Sequence, residues 1–158
     1  MLKKLLKQIH NRLIKHRKTI AVAESCTGGQ LAVLLTSLPG ASEYFLLGLV
    51  AYSNKSKEKI LGIPSKIIAR YGAVSRQVAV LMAKNIRRKT SANLSLGITG
   101  IAGPTGASSG KPVGTVYICL SKKNRVLCRK FNFCGSRRKI RNQAAQAALN
   151  LLCAHLSP

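Results

Sequence analysis

Short apolar segments alternate with helix-like segments along this chain, and that alternation limits the folds it can adopt. The apolar residues of the helix-like segments recur every three or four positions, which places them on one helix face. We therefore expect an α/β fold: a single three-layer domain with a mixed β-sheet flanked by helices, its first strands parallel and its last two antiparallel. The predicted strands cover residues 19–23, 45–53, 94–99, 113–120 and 126–133, and the predicted helices cover residues 2–17, 30–37, 55–61, 65–70, 75–89 and 137–155.

A chain of 158 residues fits one domain, which we predict to extend over residues 1–158, with an amino-terminal helix at about 2–17 and a core at about 18–156. The basic face of the amino-terminal helix could bind a membrane or nucleic acid, but packing against the domain is the favoured interpretation. No apolar run approaches the ~20 residues that span a bilayer. Charge also interrupts the apolar pattern where a signal peptide would have an unbroken core. We expect a cytoplasmic protein that does not bind membranes.

Basic residues outnumber acidic ones by 27 to 3, which gives a formal net charge of +24. Such a charge attracts polyanions, either through a nucleic-acid-binding site or through nonspecific attraction. Aromatic residues make up only 4% of the chain and Trp is absent, so the sequence offers little for stacking on bases. Nonspecific attraction to nucleic acid is therefore the favoured interpretation.

The scarcity of acidic residues also limits the possible chemistry. The chain contains no Asp, and its only carboxylate side chains are Glu24, Glu43 and Glu58. A Ser-His-Asp triad and a Walker-type site with its metal-binding Asp are excluded, and a carboxylate pair would need two of three scattered residues. An enzyme of this composition would use Ser, Thr or Cys as its nucleophile and Lys or Tyr as its base.

Five cysteines are present, and no two of them have the Cys-x-x-Cys spacing of a zinc knuckle or a dithiol redox motif. Their odd number, together with the expected cytoplasmic location, argues against a disulfide framework.

Four segments follow predicted strands or begin predicted helices and could form a site. Ser25 leaves the first strand for a helix, where free N–H groups and Gly28 and Gly29 could serve an oxyanion; alternatively, Ser25 or Thr27 only caps the helix. Residues 52–57 contain Lys57, which would be a base only if it were neutral; taken alone, a lysine here is more commonly part of a solvated helix face. The loop 99–106 could present N–H groups to a phosphate or be a plain mobile loop. Residues 135–141 could bind an anion at a helix start, although solvated arginines are commoner there.

Together these segments resemble the CinA carboxy-terminal domain family, whose stand-alone members include nicotinamide-nucleotide amidases. The matching pieces occur in family order over roughly residues 15–153. Two features differ: Ser136 stands where an acidic residue or Asn is usual, and the family is usually far more acidic. The matching segments are residues 23–29, Tyr52–Asn54 with Lys57, residues 72–75, 99–104 and 111–114, and Gly135 with Arg137 and Arg141.

The resemblance implies hydrolysis of nicotinamide mononucleotide to nicotinate mononucleotide and ammonia, without a metal or a cofactor. It implies Ser25 as nucleophile and Lys57 as base, helped by Tyr52, in a homo-oligomer that acts on a small nucleotide. Two alternatives stay open: Cys26 as the nucleophile, and a non-enzymatic nucleic-acid-binding protein on the same fold. The expected substrate-binding residues, which include phosphate ligands on the last helix and oxyanion donors around residues 27–29, are Thr27, Gly28, Gly29, Thr99, Gly100, Gly103, Arg137 and Arg141.

Overall fold

A five-stranded mixed sheet forms the centre of the molecule, in the order β2-β1-β3-β4-β5. The computed structural model describes residues 2–156, so residues 1, 157 and 158 of the predicted domain lie outside the described residues. Strand β1 pairs in parallel with β2 and β3, while β3–β4 and β4–β5 are antiparallel, as predicted. The strands are β1 (Ile20–Glu24), β2 (Phe45–Val50), β3 (Leu94–Gly100), β4 (Thr115–Ser121) and β5 (Val126–Asn132). The helices are α1 (Leu2–Lys15), α2 (Gln30–Leu35), α3 (Asn54–Lys59), α4 (Ser65–Tyr71), α5 (Arg76–Thr90) and α6 (Arg137–Ala154).

Helices cover both faces of the sheet, which confirms the predicted three-layer α/β architecture. Strand β1 shows why, because its side chains alternate between two hydrophobic clusters. Ile20 and Val22 belong to the cluster that includes buried residues of α1, α2 and α6. Ala21 and Ala23 belong to the cluster formed with α4 and α5. Both faces of this strand are buried, which is typical of a parallel strand in an α/β sheet.

The α5 side of the sheet is lined by small residues, and α5 consequently packs close to the strands. A Cβ atom on Gly97 of β3 would lie only 2.6 Å from the Ala79 carbonyl oxygen and 2.5 Å from the Ala83 nitrogen. No side chain fits in that space, so glycine at this position permits the close approach of helix and sheet.

Several predicted boundaries differ by a few residues, and side-chain caps explain two of them. The second strand ends at Val50 and not at residue 53, because the Ser53 hydroxyl accepts a hydrogen bond from the Ser56 N–H and caps α3. The Ser75 hydroxyl caps α5 in the same way by accepting from Val78 N–H. A short 3₁₀ turn at Ala41–Glu43 was not predicted.

The prediction against disulfides is wrong at one place. Cys119 and Cys128 face each other directly across the β4–β5 hairpin, with their Cα atoms 4.0 Å apart, and form a disulfide. Spacing rules for short cysteine motifs did not reveal this pair, because the hairpin register brings together residues nine positions apart. Cys26, Cys134 and Cys153 are free.

The outer strand β2 presents apolar side chains to solvent: Leu46, Leu47 and Val50 are each at least 40% exposed. The homo-oligomer implied by the family resemblance stays a prediction. Within residues 2–156, no helix combines the length and hydrophobicity that a membrane span requires.

Candidate active site

The carboxyl ends of β1 and β3, together with the segment that follows β2, surround a small cavity. Ser25 directly follows β1, and its N–H donates to the Ile98 carbonyl of β3 at 3.0 Å, so the sheet fixes its backbone. The side chain is buried, with only 8% of its surface exposed, and it lines a cavity of about 340 Å³. In an α/β sheet, ligands bind at this end of the strands.

Lys57 reaches the same cavity from α3 and is almost fully buried, with 1% of its surface exposed. Its Nζ atom lies 3.0 Å from Ser25 Oγ. The same atom lies 2.8 Å from the Ala51 carbonyl oxygen and 3.0 Å from the Tyr52 carbonyl oxygen. A charged amine buried without a carboxylate is costly, so the burial of Lys57 does not itself stabilise the fold.

The three contacts of Lys57 fit both protonation states of its amine. The ammonium donates to Ser25 Oγ and to the carbonyls of Ala51 and Tyr52. In the neutral form, the two N–H bonds point to these carbonyls, which can only accept, and the lone pair is left for the Ser25 hydroxyl proton. Burial lowers the pKa of Lys57 to about 8, which brings the neutral form close to physiological pH.

The phenol of Tyr52 makes no hydrogen bond to Ser25 or Lys57. Its side chain is 57% exposed, and its hydroxyl accepts a hydrogen bond from Arg137 Nη2 at 2.8 Å. Arg137 Nη1 donates to the Gly103 carbonyl at 2.7 Å, so this guanidinium bridges two sides of the cavity mouth. The contribution of Tyr52 to positioning Lys57 comes from its main-chain carbonyl.

Two of the predicted oxyanion donors, around residues 27–29, are already paired in the structure. The Gly28 N–H donates to the Ser25 carbonyl at 3.0 Å, and the Gly29 N–H donates to the Glu24 carboxylate at 3.1 Å. Those two groups are already paired, which corrects the prediction for Gly28 and Gly29. The N–H groups of Cys26 and Thr27 have no hydrogen-bond acceptor within residues 2–156, and they directly follow Ser25. These two are the available donors for an oxyanion.

The Glu24 carboxylate binds the N–H groups at the start of α2. Its buried carboxylate accepts from the N–H groups of Gly29 and Leu31 through one oxygen and of Ala32 through the other, at 2.8–3.1 Å. These are the unpaired donors at the start of α2, so the carboxylate takes the capping role that was left open as the alternative for Ser25 or Thr27. Ser25 Oγ is thereby left for Lys57.

Arg141 has a role different from the predicted one. Its Nε and Nη2 atoms both donate to the Thr27 carbonyl oxygen, at 3.1 and 2.7 Å, and it does not line the cavity. A Cβ atom on Gly28 would lie 3.1 Å from Arg141 Nη2, so the glycine allows the guanidinium to lie against the loop. Arg141 therefore fixes the loop formed by Thr27, Gly28 and Gly29 through the Thr27 carbonyl. The phosphate role predicted for Arg141 is not supported.

The loop after β3 forms the wall of the cavity opposite Lys57. Thr99, Gly100 and Gly103 all line it, as do Thr105 and Gly106. The Thr99 hydroxyl donates to the Ala73 carbonyl at 2.9 Å, which ties β3 to the segment between α4 and α5. Four of the predicted substrate-binding residues line the cavity: Thr99, Gly100, Gly103 and Arg137.

Cys26 lines the cavity beside Ser25, but its thiol is poorly suited to attack. A position at a helix amino terminus would lower the pKa of a thiol. Instead, burial raises the pKa of Cys26 to about 12, because the thiolate is removed from water. The helix also begins at residue 30, four residues later. A protonated thiol is a weak nucleophile, so the geometry favours Ser25.

Comparison with known proteins places this chain in a family. The model of the CinA C-terminal domain matches residues 2–156. The chain belongs to the CinA C-terminal domain family. This confirms the resemblance expected from the motifs.

Two CinA-like proteins show how far the similarity extends. The protein from Thermotoga neapolitana is 45% identical over 152 residues, which cover 96% of this chain and 37% of the relative. The protein from Geotalea daltonii is 48% identical over 134 residues, 85% of this chain and 32% of the relative. The chain thus spans about a third of the length of the curated relatives it matches.

Solved structures of CinA-family proteins share the fold over almost the whole chain. The competence or damage-inducible protein from Enterobacter asburiae is 33% identical, with a TM-score of 0.95 and 99% of each chain covered. The competence/damage inducible protein CihA from Agrobacterium tumefaciens is 35% identical, with a TM-score of 0.94 and coverage of 97% and 94%. The names of these relatives specify no reaction, so the reaction of this CinA-family chain is inferred from its site.

Sequence reasoning missed two parts of the site. The helix-capping role of Glu24 was not predicted, although its position beside Ser25 in a chain with three carboxylates was a usable signal. The carbonyl groups of Ala51 and Tyr52 that orient Lys57 left no signal, because main-chain groups are common to all residues.

Proposed function

We propose that this CinA-family chain is an amidase that hydrolyses the carboxamide of nicotinamide mononucleotide, with Ser25 as the nucleophile and Lys57 as the base. The observation that supports this most is the 3.0 Å contact between Lys57 Nζ and Ser25 Oγ inside a cavity at the carboxyl end of the sheet. Burying an amine without a carboxylate partner costs stability, and a proton acceptor beside Ser25 Oγ gives that burial a catalytic use. The cavity volume of about 340 Å³ is within the range of small-molecule sites.

In the first half of the reaction, Ser25 Oγ attacks the carboxamide carbon while its proton moves to the lone pair of Lys57 Nζ. The carbonyl oxygen becomes negative, and the N–H groups of Cys26 and Thr27 donate to it. Collapse of the tetrahedral intermediate breaks the C–N bond. The leaving nitrogen takes the proton from Lys57 and departs as ammonia, which leaves an ester on Ser25.

In the second half, a water molecule attacks the ester carbon and gives a proton to Lys57. The second tetrahedral intermediate breaks the bond to Ser25 Oγ, which regains its proton from Lys57. The products are a carboxylic acid, ionised at neutral pH, and the free enzyme. Each half uses Lys57 first as base and then as acid, which requires a pKa near the working pH.

The phosphate of the mononucleotide is expected to bind Arg137 at the cavity mouth. The guanidinium has five N–H donors, and the contacts with Gly103 and Tyr52 use two of them. The remaining donors are free for an anion. The N–H groups of Gly103 and Thr105 have no acceptor within the described residues and lie along the same cavity wall. Holding the phosphate there would align the carboxamide with Ser25.

The test is ammonia release from nicotinamide mononucleotide by the purified chain, compared with Ser25→Ala and a matched control, Ser37→Ala, whose exposed hydroxyl lies outside the cavity. We expect Ser25→Ala to lose at least three orders of magnitude in kcat and Ser37→Ala to retain wild-type activity. Full activity in Ser25→Ala, or no ammonia from wild type at substrate-level enzyme concentrations, would contradict the proposal.

A further inference from the structure

A second and larger concavity lies at the opposite end of the sheet from Ser25. Its volume is about 980 Å³. It is formed where α1 meets β1, where α5 and α6 end, and at the turn between β4 and β5. Five cationic side chains line it, and together they define what we call the basic groove: Lys18, Arg87, Arg88, Lys122 and Lys123.

The basic groove is separate from the candidate active site. Lys18 and Ser25 are seven positions apart along an extended segment that includes β1. At about 3.3 Å per residue, this puts them roughly 20 Å apart. No residue lines both concavities, so a ligand in one does not contact the other.

The charge of the basic groove is not balanced by nearby carboxylates. None of its described lining residues is acidic. The three glutamates lie elsewhere: Glu24 caps α2, Glu43 ends the 3₁₀ turn and Glu58 lies in α3. Arg87 and Arg88 complement the carbonyl end of α5, but a helix end offers only about half a negative charge. Five cations in one concavity therefore leave a large excess of positive potential, which a concave surface concentrates.

Two of the cations are held in place by main-chain carbonyls, and three are free to meet a ligand. Arg87 Nη2 donates to the Lys123 carbonyl at 3.4 Å, and Lys122 Nζ donates to the His155 carbonyl. The Arg87 Nε atom is buried and has no hydrogen-bond partner in the described chain, so a donor stays unsatisfied. Lys18, Arg88 and Lys123 are exposed.

The remaining lining indicates what kind of anion fits. Among the described residues that line the basic groove there is no Phe, Tyr or Trp. The rings among these residues are the imidazoles of His16 and His155, and the five cations outnumber them, so recognition rests mainly on the phosphates. The volume is also nearly three times that of the candidate active site, and the cations come from three parts of the chain. This arrangement suits a ligand with several phosphates along a flexible chain.

We propose that the basic groove binds a single nucleic-acid strand through its phosphates, without reading its bases. A flexible strand can follow a concave surface, whereas a stiff duplex would have to bend. The strand would neutralise the cations of the groove, with its phosphates against the exposed side chains of Lys18, Arg88 and Lys123. This binding goes beyond the proposed amidase activity and does not depend on it.

The test is fluorescence anisotropy of a labelled 20-nucleotide oligodeoxythymidine over a range of salt concentrations. The groove variant is Arg88→Glu/Lys123→Glu, and the control variant is Lys4→Glu/Lys7→Glu on the exposed face of α1, which changes the net charge equally. We expect micromolar binding by wild type near physiological salt and about tenfold weaker binding by the groove variant. Its salt slope should also fall by about 1.4, from two lost phosphate contacts. The control should stay within about threefold of wild type.

Equal weakening in both variants would overturn the proposal, because the general charge would then explain the binding. Absence of wild-type binding at physiological salt would overturn it as well. Nicotinamide mononucleotide should fail to displace the oligonucleotide; displacement would place the strand in the Ser25 cavity. Inorganic polyphosphate should compete for the groove. If it binds more tightly per phosphate than the oligonucleotide does, polyphosphate and not a nucleic-acid strand is the ligand. Thermal unfolding checks that both variants are folded.

Discussion

Replacement of Lys57 by methionine should change how the stability of the protein depends on pH. Methionine keeps an unbranched side chain of similar length but removes the amine. In the wild type, burial lowers the pKa of Lys57 from 10.5 to about 8. The unfolded chain therefore binds more protons than the folded chain between these two values, and folding becomes more favourable as the pH rises through this window.

The size of the effect follows from the two pKa values. At pH 7 the amine is protonated in both states, and its burial costs ~3 kcal/mol of folding free energy. At pH 10 the folded amine is neutral and the cost falls to below ~1 kcal/mol. The methionine variant lacks this dependence. It also leaves the carbonyls of Ala51 and Tyr52 without their donor, which costs about 1–3 kcal/mol at every pH. The stability of wild type relative to the variant should therefore increase by ~2.5 kcal/mol from pH 7 to pH 10.

The assay is urea unfolding of wild type, Lys57→Met and Lys55→Met at several pH values from 7 to 10. Lys55 lies on the same helix but is exposed, so its replacement should produce no comparable pH dependence. Every other titrating group is present in all three proteins and cancels in the differences. If Lys57→Met and Lys55→Met differ from wild type by amounts that do not change with pH, the amine is not desolvated and the reasoning fails.

Four further outcomes test the site. The kcat/KM of wild type should rise with pH and level off above about 8, where Lys57 is neutral; a decrease between pH 7 and 9 would exclude it as the base. Arg137→Ala should raise KM for nicotinamide mononucleotide ~10–100-fold, the loss of a charged hydrogen bond of ~1.5–3 kcal/mol, while Arg138→Ala changes it little; equal effects would point to the general basic charge. Glu24→Gln should lower the free energy of unfolding by ~1.5–3 kcal/mol in denaturant titrations, because an amide N–H₂ cannot accept from the α2 donors. An unchanged unfolding midpoint would contradict the capping role of Glu24. Cys26→Ala should keep most amidase activity, and complete loss with an intact fold would make the thiol the nucleophile.

The fold was largely predictable because its elements follow from local patterns. Strands β1 and β3 are short apolar segments, and α1, α5 and α6 have helical apolar spacing, so their existence and order were clear. The boundaries that shifted depend on single side chains. Whether Ser53 ends a strand or caps a helix is decided by one hydrogen bond to the Ser56 N–H, and periodicity does not encode it.

The sequence predicted the pairing of Ser25 with Lys57, but it predicted less about the residues around them. Ser25 and Lys57 follow neighbouring strands, and parallel strands bring such residues to one edge of the sheet. The orientation of Arg137 and Arg141 was not predictable, because both lie on the first turn or two of α6 and both are cationic. Only the fold shows that Arg137 faces the cavity while Arg141 contacts the Thr27 carbonyl.

A chain without aspartate can still orient a general base, because a lysine needs a different partner from a histidine. In a Ser-His-Asp triad the carboxylate fixes the ring and stabilises the positive charge that forms on it. Lys57 must lose its charge before it can accept a proton, and a carboxylate beside it would oppose that loss. The main-chain carbonyls of Ala51 and Tyr52 orient the two N–H bonds without adding a negative charge. Burial lowers the pKa of Lys57 and so favours the neutral amine. The one carboxylate close to Ser25 in sequence, Glu24, is fully occupied by the helix α2 N–H groups. The composition that excludes a triad is therefore compatible with a serine–lysine pair.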